Sequence, residues 1–275
     1  MSYIEINNLQ LNKYKLSSLN IEEGFSYGVI GKNHDDVTKL LKIIAGINDN
    51  NNSCLQRGVT IFDNKEYFKN RIYYDLSLQV TSTLDSKIIK EDLNFRYNAS
   101  FLEKEYKRLV NDLAIRGEVV ITNEYKFSDL GVNLTSYAVL CSLSYPNIVV
   151  NNPLKYVPIE KKELRNKMIN TIIDRAKYQT MIVDATDLLD FYRYLDYLII
   201  LGDYEDVLMI KPNSDKFIIS DDYLTLKNKI FTKDNIVISK APTDKEDYKE
   251  LKKVIRKYKE VSFIEAYSYY MEGIK

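Results

Sequence analysis

The chain has 275 residues, of which 45% are apolar and 28% are charged, a composition that indicates a folded globular protein and excludes a disordered one. Its 39 Lys and Arg residues balance its 39 Asp and Glu residues, so no net charge attracts the chain to nucleic acid. Two cysteines far apart in sequence and a single histidine exclude a disulfide framework and a structural zinc site.

The first quarter of the chain predicts strands, with one helix among them. A Glu-Gly turn precedes a short buried strand that ends at Gly31. Apolar residues then recur at helical spacing over residues 37–45, and Gly46 is suited to end that helix. The predicted strands cover residues 3–11, 16–21, 25–30, 59–62 and 71–74.

A charged segment and a long uncharged segment follow. Residues 85–115 carry spaced apolar side chains among Lys and Glu, which predicts helices. Residues 130–154 have no charged side chain and are long enough to span a bilayer, but Pro146 and several asparagines are costly in hydrocarbon. We therefore predict a buried helix at 134–143 and a buried strand at 147–150, instead of a membrane span.

The second half alternates between short apolar strands and amphipathic helices, which predicts βαβ units and a largely parallel sheet. The further predicted strands cover residues 180–183, 197–201, 207–210 and 236–239, and the further predicted helices cover 160–177, 187–194, 244–258, 263–271 and a segment shortly after Asp221.

The first strand–turn–helix unit carries the most informative motif. Residues 28–47 read GVIGKNHDDVTKLLKIIAGI, so that a helix follows the strand that ends at Gly31. A phosphate-binding loop has this order, because N–H groups of the turn and of the helix N-terminus face the anion. Such a loop also uses a Lys for the phosphates and a Ser or Thr for magnesium. An ordinary turn without a ligand fits the same pattern, so the motif alone leaves both interpretations open.

The order of motifs along nearly the whole chain resembles that of the ATP-binding subunits of ABC transporters. The resemblance rests on the phosphate loop, the strand before Pro153 and the switch region that follows the next strand. The matching positions are Gly31, Asn33, Thr38, Leu40, Leu41 and the segments 42–46, 58–62, 146–153, 180–196 and 261–271.

The resemblance implies an α/β fold, namely the ABC-type P-loop nucleotide-binding-domain fold with an N-terminal antiparallel β subdomain and an inserted helical subdomain. Residues 1–79 and 143–220 would form the two parts of the α/β core, and the first of them would contain the phosphate loop and the β subdomain. Residues 80–142 would be the helical subdomain, and residues 221–275 a C-terminal extension.

The family's binding residues carry over to the matching positions. The resemblance implies ATP and Mg²⁺ as ligands, with the adenine stacked on Tyr14. A remnant of the family's signature loop would lie at Ser128 and Gly131, and its glutamine loop near residues 77–79. The nucleotide-binding residues implied at the loop are Gly31, Lys32, Asn33, Thr38 and Lys39.

Four positions depart from the family pattern, and all of them serve ATP hydrolysis in the family. Val37 stands at the phosphate-loop lysine, Asn151 at the magnesium-binding Asp, Asn152 at the catalytic Glu and Thr186 at the switch His. An amide cannot take a proton from the attacking water, and Val37 cannot neutralise phosphate charge. We therefore expect no catalytic residues and no metal ligands at these positions.

Asp35 and Asp36 weaken the expectation of nucleotide binding further. They place two anions where a phosphate would lie, and like charges a few ångströms apart cost several kcal/mol. The implied ATP and Mg²⁺ are therefore doubtful ligands for this chain.

Several residues have a structural interpretation beside the functional one. Asn151 and Asn152 at a strand end can form side-chain turn hydrogen bonds, which we favour over metal binding. We interpret His34 as a solvated loop residue and Cys141 as a small core residue. The tyrosines within residues 263–271 either form an interface or pack the last helix, and the sequence leaves both open.

The sequence thus predicts a degenerate, hydrolysis-deficient, exporter-like ATP-binding-type subunit of an ABC transporter. It would couple to a membrane permease at the cytoplasmic face of the membrane and pair with itself or with a competent ATPase subunit. One alternative is a non-catalytic soluble scaffold or regulatory protein on the same fold. Another is a true ATPase to which a second chain supplies the missing groups.

Overall fold

The computed structural model describes residues 4–48, 53–56, 58–61, 64–75, 86–97, 101–120, 126–186, 189–221, 226–255 and 257–271. Its strands are β1 (Ile4–Leu11), β2 (Tyr14–Ile21), β3 (Ser26–Gly31), β4 (Cys54–Gln56), β5 (Val59–Thr60), β6 (Arg71–Asp75), β7 (Val119–Val120), β8 (Lys126–Phe127), β9 (Asn147–Asn151), β10 (Thr180–Asp184), β11 (Tyr197–Leu201), β12 (Leu208–Ile210), β13 (Phe217–Ser220), β14 (Lys229–Lys233), β15 (Ile236–Lys240) and β16 (Lys259–Val261). Its α-helices are α1 (His34–Ile44), α2 (Lys65–Asn70), α3 (Ser86–Tyr97), α4 (Glu103–Asp112), α5 (Asp129–Cys141), α6 (Lys162–Ala176), α7 (Lys245–Val254) and α8 (Phe263–Met271), and 3₁₀ helices lie at Ile115–Glu118 and Leu189–Tyr194.

A six-stranded sheet in the order β12-β11-β3-β10-β9-β6 forms the centre of the molecule. Its strands are parallel except for the edge strand β12, which runs antiparallel to β11. Val149 and Ile182 pack on the α1 face, whereas Ile148 and Val183 belong to the core on the opposite face, which includes α5 and α6. Both faces are therefore covered, as the predicted alternation of strands and helices requires.

A second, antiparallel sheet in the order β2-β1-β4-β5 packs against α1. β1 and β2 bury alternate apolar side chains, since one face of this sheet meets the helix. The β-rich start was predicted, but β4 was not, because it follows an Asn-rich segment that reads as a loop. Cys54 on β4 and Cys141 on α5 are both buried, and burial raises the pKa of each thiol to about 12.

The helices α3, α4 and α5 and the short β7–β8 pair lie between β6 and β9 in the chain. α5 begins at Asp129, five positions earlier than the predicted 134, because the Ser128 side chain caps the helix by accepting a hydrogen bond from the Gly131 N–H. The helix is followed by the fully buried strand β9. A helix long and apolar enough to cross a membrane is absent from the part of the chain that the structure describes.

The C-terminal part contains an antiparallel sheet in the order β14-β15-β13-β16. The helix predicted shortly after Asp221 is wrong for the described residues of that segment, where β14 and β15 form a hairpin instead. Asp234 and Asn235 at its tip have φ of 48° and 65°, which a primed hairpin turn requires.

Two helices cover this C-terminal sheet, one on each face. α7 lies beside the cluster that contains Ile218 and Val237, and α8 joins the large core through Phe263, Tyr267 and Tyr270. The buried tyrosines of α8 thus pack the helix, which decides between the two interpretations left open by the sequence. The segment predicted as a helix at 187–194 forms a 3₁₀ helix over its described residues, Leu189–Tyr194.

Candidate functional site

The candidate site lies at the edge of the central sheet where its parallel strands end. β3 ends at Gly31, β6 at Asp75, β9 at Asn151 and β10 at Asp184. Strand pairing places Asp75 beside Asn151, and the side chain of Thr38 in α1 forms a hydrogen bond with Asn151. Ligands of open α/β sheets bind at this edge, so the fold brings the predicted phosphate loop to the expected place.

The turn between β3 and α1 supplies acceptors for three of its own backbone N–H groups. The Asn33 Oδ1 accepts a hydrogen bond from the Asp35 N–H at 2.9 Å, and the Asn33 carbonyl oxygen accepts from the N–H groups of Asp36 and Val37 at 3.2 and 3.3 Å. α1 therefore begins at His34 instead of residue 37, because Asn is a strong N-cap and aspartates favour the first helical turn.

Asp36 points into the protein instead of into the turn. It is 6% exposed, and its carboxylate accepts a hydrogen bond from the side-chain amide of Asn12, at the tip of the β1–β2 hairpin. The Asn12 Oδ1 in turn accepts from Lys39 Nζ at 3.2 Å. This Asp36–Asn12–Lys39 network ties the first turn of α1 to the N-terminal sheet, and it engages Lys39, which was assigned to nucleotide binding.

Val37 fills the space in front of Gly31. Its side chain is completely buried, and a Cβ placed on Gly31 would lie 2.9 Å from Val37 Cγ2 and 3.2 Å from Leu201 Cβ. The position that holds the phosphate-loop lysine in the resembling family is thus an apolar packing position in this chain.

Asn151 joins α1 to the neighbouring strand through its side chain. Its Nδ2 donates hydrogen bonds to Thr38 Oγ1 at 3.1 Å and to Asp75 Oδ2 at 2.9 Å. Asn152, with a φ of 50°, donates to Asp75 Oδ1 at 3.4 Å. The two amides therefore share one buried carboxylate, and the favoured interpretation of their side chains as hydrogen-bonding groups agrees with this geometry.

Asp184 occupies the end of β10 next to the start of α1. Its Oδ1 accepts hydrogen bonds from the Thr186 N–H at 3.1 Å and the Thr186 hydroxyl at 2.8 Å. The Nδ1 of His34, whose side chain is about half exposed, lies 3.6 Å from Asp184 Oδ2. Thr186, assigned to the switch position, is thus turned back towards its own strand.

No family model matches the sequence, and no curated protein sequence matches it. Solved structures do match: CbiO1 of Clostridium perfringens, described as part of the ABC transporter complex CbiONQ, superposes with a TM-score of 0.53 at 15% identity over 77% of this chain and 89% of that chain. An ATP-binding subunit of an ABC transporter gives 0.56 at 16% identity, over 76% and 90% of the two chains. The chain has the ABC ATP-binding fold.

A third match of the ABC ATP-binding fold is a bacterial Atm1-family ABC exporter with ATP bound, with a TM-score of 0.51 at 13% identity. It covers 74% of this chain but 38% of the exporter chain. Identities this low show the fold shared by these proteins and carry no residue roles across. The mixed sheet, the N-terminal antiparallel sheet and the helices between β6 and β9 follow this shared architecture.

Tyr14 cannot serve as the adenine-stacking residue in this arrangement of the fold. Its ring is 1% exposed, and its hydroxyl donates to the Gly202 carbonyl at 3.0 Å. Burial, together with the nearby Asp36 and Asp203 carboxylates, raises the pKa of Tyr14 to about 12. The expectation is corrected because the β1–β2 hairpin is short, so that Tyr14 packs inside the molecule instead of extending over the site.

Lys32 and the signature-loop remnant lie at different borders of the fold. Lys32 Nζ is 3.7 Å from Asp203 Oδ1, and Asp203 also accepts hydrogen bonds from the Thr232 N–H and the Tyr270 hydroxyl. Ser128 caps α5, and its Oγ donates to Glu118. The predicted glutamine loop near residues 77–79 falls outside the described residues.

Sequence reasoning missed the polar partners of the predicted residues, namely Asn12, Asp75, Asp184 and Asp203. Asp75 and Asp184 each end a β-branched or aromatic strand, which was the available signal for a place at the sheet edge. The described residues contain no group of three or more His, Cys, Asp or Glu side chains that could hold a metal ion.

Three features of the residues around the turn depart from what a bound nucleotide needs. The N–H groups of residues 35–37 have acceptors within the turn, and Val37 supplies no cation. The side-chain amide of Asn151 donates a hydrogen bond to Thr38, although a metal ion would need both of these side chains as ligands. What the arrangement does provide is a hydrogen-bonded junction between the central sheet, α1 and the N-terminal sheet.

Proposed function

We propose that this chain is a non-hydrolysing subunit of the ABC type, which acts by binding other subunits instead of by turning over ATP. The observation that carries the proposal is the structure of the turn at the start of α1, where Asn33 caps the helix and Val37 packs over Gly31. The N–H groups of residues 35–37 in this turn already have acceptors, and Val37 adds no positive charge for a triphosphate.

The side chains at the end of β9 support the same proposal. Phosphoryl transfer depends on a metal ion and on charge neutralisation, and the attacking water must be oriented by a base. Asn151 and Asn152 are uncharged, and both bond to Asp75, so that the nearest carboxylate accepts amide hydrogens instead of facing a water. Thr38, the remaining metal-type ligand, accepts a hydrogen bond from Asn151.

In this proposal the partners are a membrane permease and a second ATP-binding-type subunit, either another copy of this chain or a competent ATPase. The support is the fold, since two of the similar structures are described as a part of an ABC transporter complex and as an ABC exporter. The chain would then lie at the cytoplasmic face of a membrane, held there by its permease, with exporter-type transport as the finer part of the proposal.

The test of lost hydrolysis is the turnover of Mg-ATP by the purified chain. We expect no phosphate release above background and no saturable ATP binding in calorimetry. A turnover of about 1 s⁻¹ or faster that disappears in Thr38→Ala would contradict the proposal. Lys65→Ala, on α2 away from the turn, is the control that should change nothing.

A second candidate is a soluble scaffold or regulatory protein that keeps the fold without a transporter. The turn at the start of α1 favours this second candidate, because a chain that binds no nucleotide cannot use nucleotide to drive association with a partner. Affinity capture of the native chain from membranes, followed by mass spectrometry, separates the two candidates. Recovery of a multi-span membrane protein with another ATP-binding subunit supports the transporter, whereas recovery of soluble proteins alone supports the scaffold.

A further inference from the structure

A cavity of about 470 Å³ lies between α7 and the edge strand β12, far along the chain from the turn at α1. Small-molecule sites commonly have volumes of about 300–1,000 Å³ and combine apolar walls with a few polar groups. Leu208 and Met209 of β12 form one wall, and Leu251 and Val254 of α7 form the opposite wall. The cavity thus has the size and the apolar walls of a ligand site.

The loose packing of α7 leaves this space open. None of the residues of α7 is fully buried, although the helix carries an apolar edge with Tyr248, Leu251 and Val254. Val254 lines the cavity and is 57% exposed. Tyr248 and Leu251 pack in part against the C-terminal sheet, as the apolar edge of an amphipathic helix normally does, whereas Val254 remains open to a ligand in the cavity.

Ser239 supplies a polar group at the floor of the cavity. It is 1% exposed, and its Oγ is buried without a hydrogen-bond partner among the described residues. Ser239 lies two positions from Val237 and from Ala241, both of which belong to the cluster beside α7, so its side chain points to the α7 face of the sheet. An unpaired buried hydroxyl costs free energy, which a hydrogen bond from a ligand would recover.

The rim of the cavity is acidic. Asp247 and Glu250 line it from α7, both are exposed, and neither forms an ion pair within the described part of the chain. Of the two lysines that line the cavity, Lys240 is paired with Asp215 at 2.8 Å, which leaves Lys227. Asp244, whose carboxylate caps α7, also lines the cavity, so three carboxylates against one remaining lysine attract a cation to the rim.

We propose that this cavity binds a small amine that has an apolar body and a hydrogen-bonding group at its far end. The amine lies between Asp247 and Glu250, the body fills the space between β12 and α7, and the far group bonds to Ser239 Oγ. Because β12 is the edge strand of the central sheet, the bound molecule contacts both that sheet and the C-terminal sheet.

The test uses three ligands of nearly the same size in isothermal titration calorimetry with the full chain. Tyramine has both the amine and the hydroxyl, phenethylamine lacks the hydroxyl, and tyrosol carries a hydroxyl in place of the amine. We expect tyramine to bind with a Kd below about 1 mM. Phenethylamine and tyrosol should each bind about three- to tenfold more weakly, as expected for the loss of one hydrogen bond or one exposed ion pair.

Two variants assign these differences to the cavity. Ser239→Ala should remove the difference between tyramine and phenethylamine, and Asp247→Asn with Glu250→Gln should remove the difference between tyramine and tyrosol. Glu246→Gln, an exposed residue of α7 that does not line the cavity, is the matched control and should leave all three affinities unchanged. Circular dichroism verifies that each variant is folded.

Several results would overturn the proposal. One is the absence of saturable tyramine binding to the folded chain, which would make the cavity a packing gap. Another is equal affinity for all three ligands, which would assign binding to apolar contact alone. A third is an effect of Glu246→Gln as large as that of the rim variants, since general surface charge would then explain the attraction.

Discussion

The Asp36 carboxylate is buried at the start of α1, where an acidic side chain would ordinarily be exposed. Its partner is the amide of Asn12, which Lys39 holds from the other side. A buried hydrogen bond to a charged group is stronger than a neutral one, and removing one partner leaves the other unsatisfied. The network therefore stabilises the junction of α1 with the N-terminal sheet.

The residue-scale prediction compares two neighbouring aspartates. Asp36→Ala should lower the free energy of unfolding by about 1–3 kcal/mol, because Asn12 loses its acceptor. Asp35→Ala, at an exposed position of the same helical turn, should cost no more than about 1 kcal/mol from the lost charge at the helix N-terminus. Urea unfolding followed by circular dichroism measures both, and equal losses would contradict a buried network at Asp36.

The sequence predicted the motif residues of this site better than it predicted their hydrogen-bond partners. Thr38 and Asn151 each matched a motif of the resembling family, and the structure brings them within hydrogen-bonding distance. Asp75 and Asn12 were missed, since they lie 76 and 24 residues from their partners and no local spacing reports such contacts. The burial of Tyr14 was missed for the same reason, because it depends on how a short hairpin meets the end of β11.

At the scale of elements, the close contact of β3 with α1 makes a prediction. Gly31→Ala should lower the free energy of unfolding by about 1–3 kcal/mol, because the added Cβ meets Val37 and Leu201. Val37→Ala also destabilises, but combining the two should cost less than the sum of the single changes by about 0.5–3 kcal/mol. Thermal and urea unfolding of the four chains measure this coupling.

The control for this pair is Gly117→Ala. A Cβ added at Gly117 has no atom within 4 Å, so this change should leave stability within about 0.5 kcal/mol. Additive effects of Gly31→Ala and Val37→Ala on the free energy of unfolding would contradict a close contact between β3 and α1 at this point.

Periodicity predicted the elements of the central sheet well and the C-terminal sheet poorly. Buried parallel strands have uniform apolar runs flanked by amphipathic helices, and these runs are easy to recognise. β14 carries two lysines in five residues and buries the adjacent residues Ile230 and Phe231, so its apolar pattern does not alternate and was weak. The Asp-Asn pair at the hairpin tip was the available signal for a turn, and it indicates a hairpin instead of a helix.

For the molecule as a whole, a core cluster that joins the C-terminal sheet to the central sheet predicts that these two sheets unfold in one cooperative transition. Phe263 of α8 packs its ring against Tyr192, Phe217 and Tyr267 at centroid distances of 5.5, 5.4 and 5.7 Å, within the same cluster as the residues of the central sheet. Phe263→Ala should therefore cost about 3–5 kcal/mol. It should lower the melting temperature of the whole chain by roughly 6–20 °C.

Differential scanning calorimetry checks this prediction. A single peak that moves as a unit is expected, and Phe25→Ala, which removes a ring that is 36% exposed, should move it less. Two peaks, of which Phe263→Ala shifts one alone, would show that the C-terminal sheet unfolds independently of the central sheet.

The two buried cysteines have a practical consequence for following motion in this protein. Because Cys54 and Cys141 are the chain's only thiols and burial raises the pKa of each to about 12, fewer than about one in ten thousand is ionised near neutral pH. Maleimide dyes or spin labels would therefore attach to cysteines engineered at exposed positions such as Lys249 and Tyr178, with both native cysteines left in place. A label pair of this kind would report the movement of α7 relative to the rest of the molecule in the unaltered core.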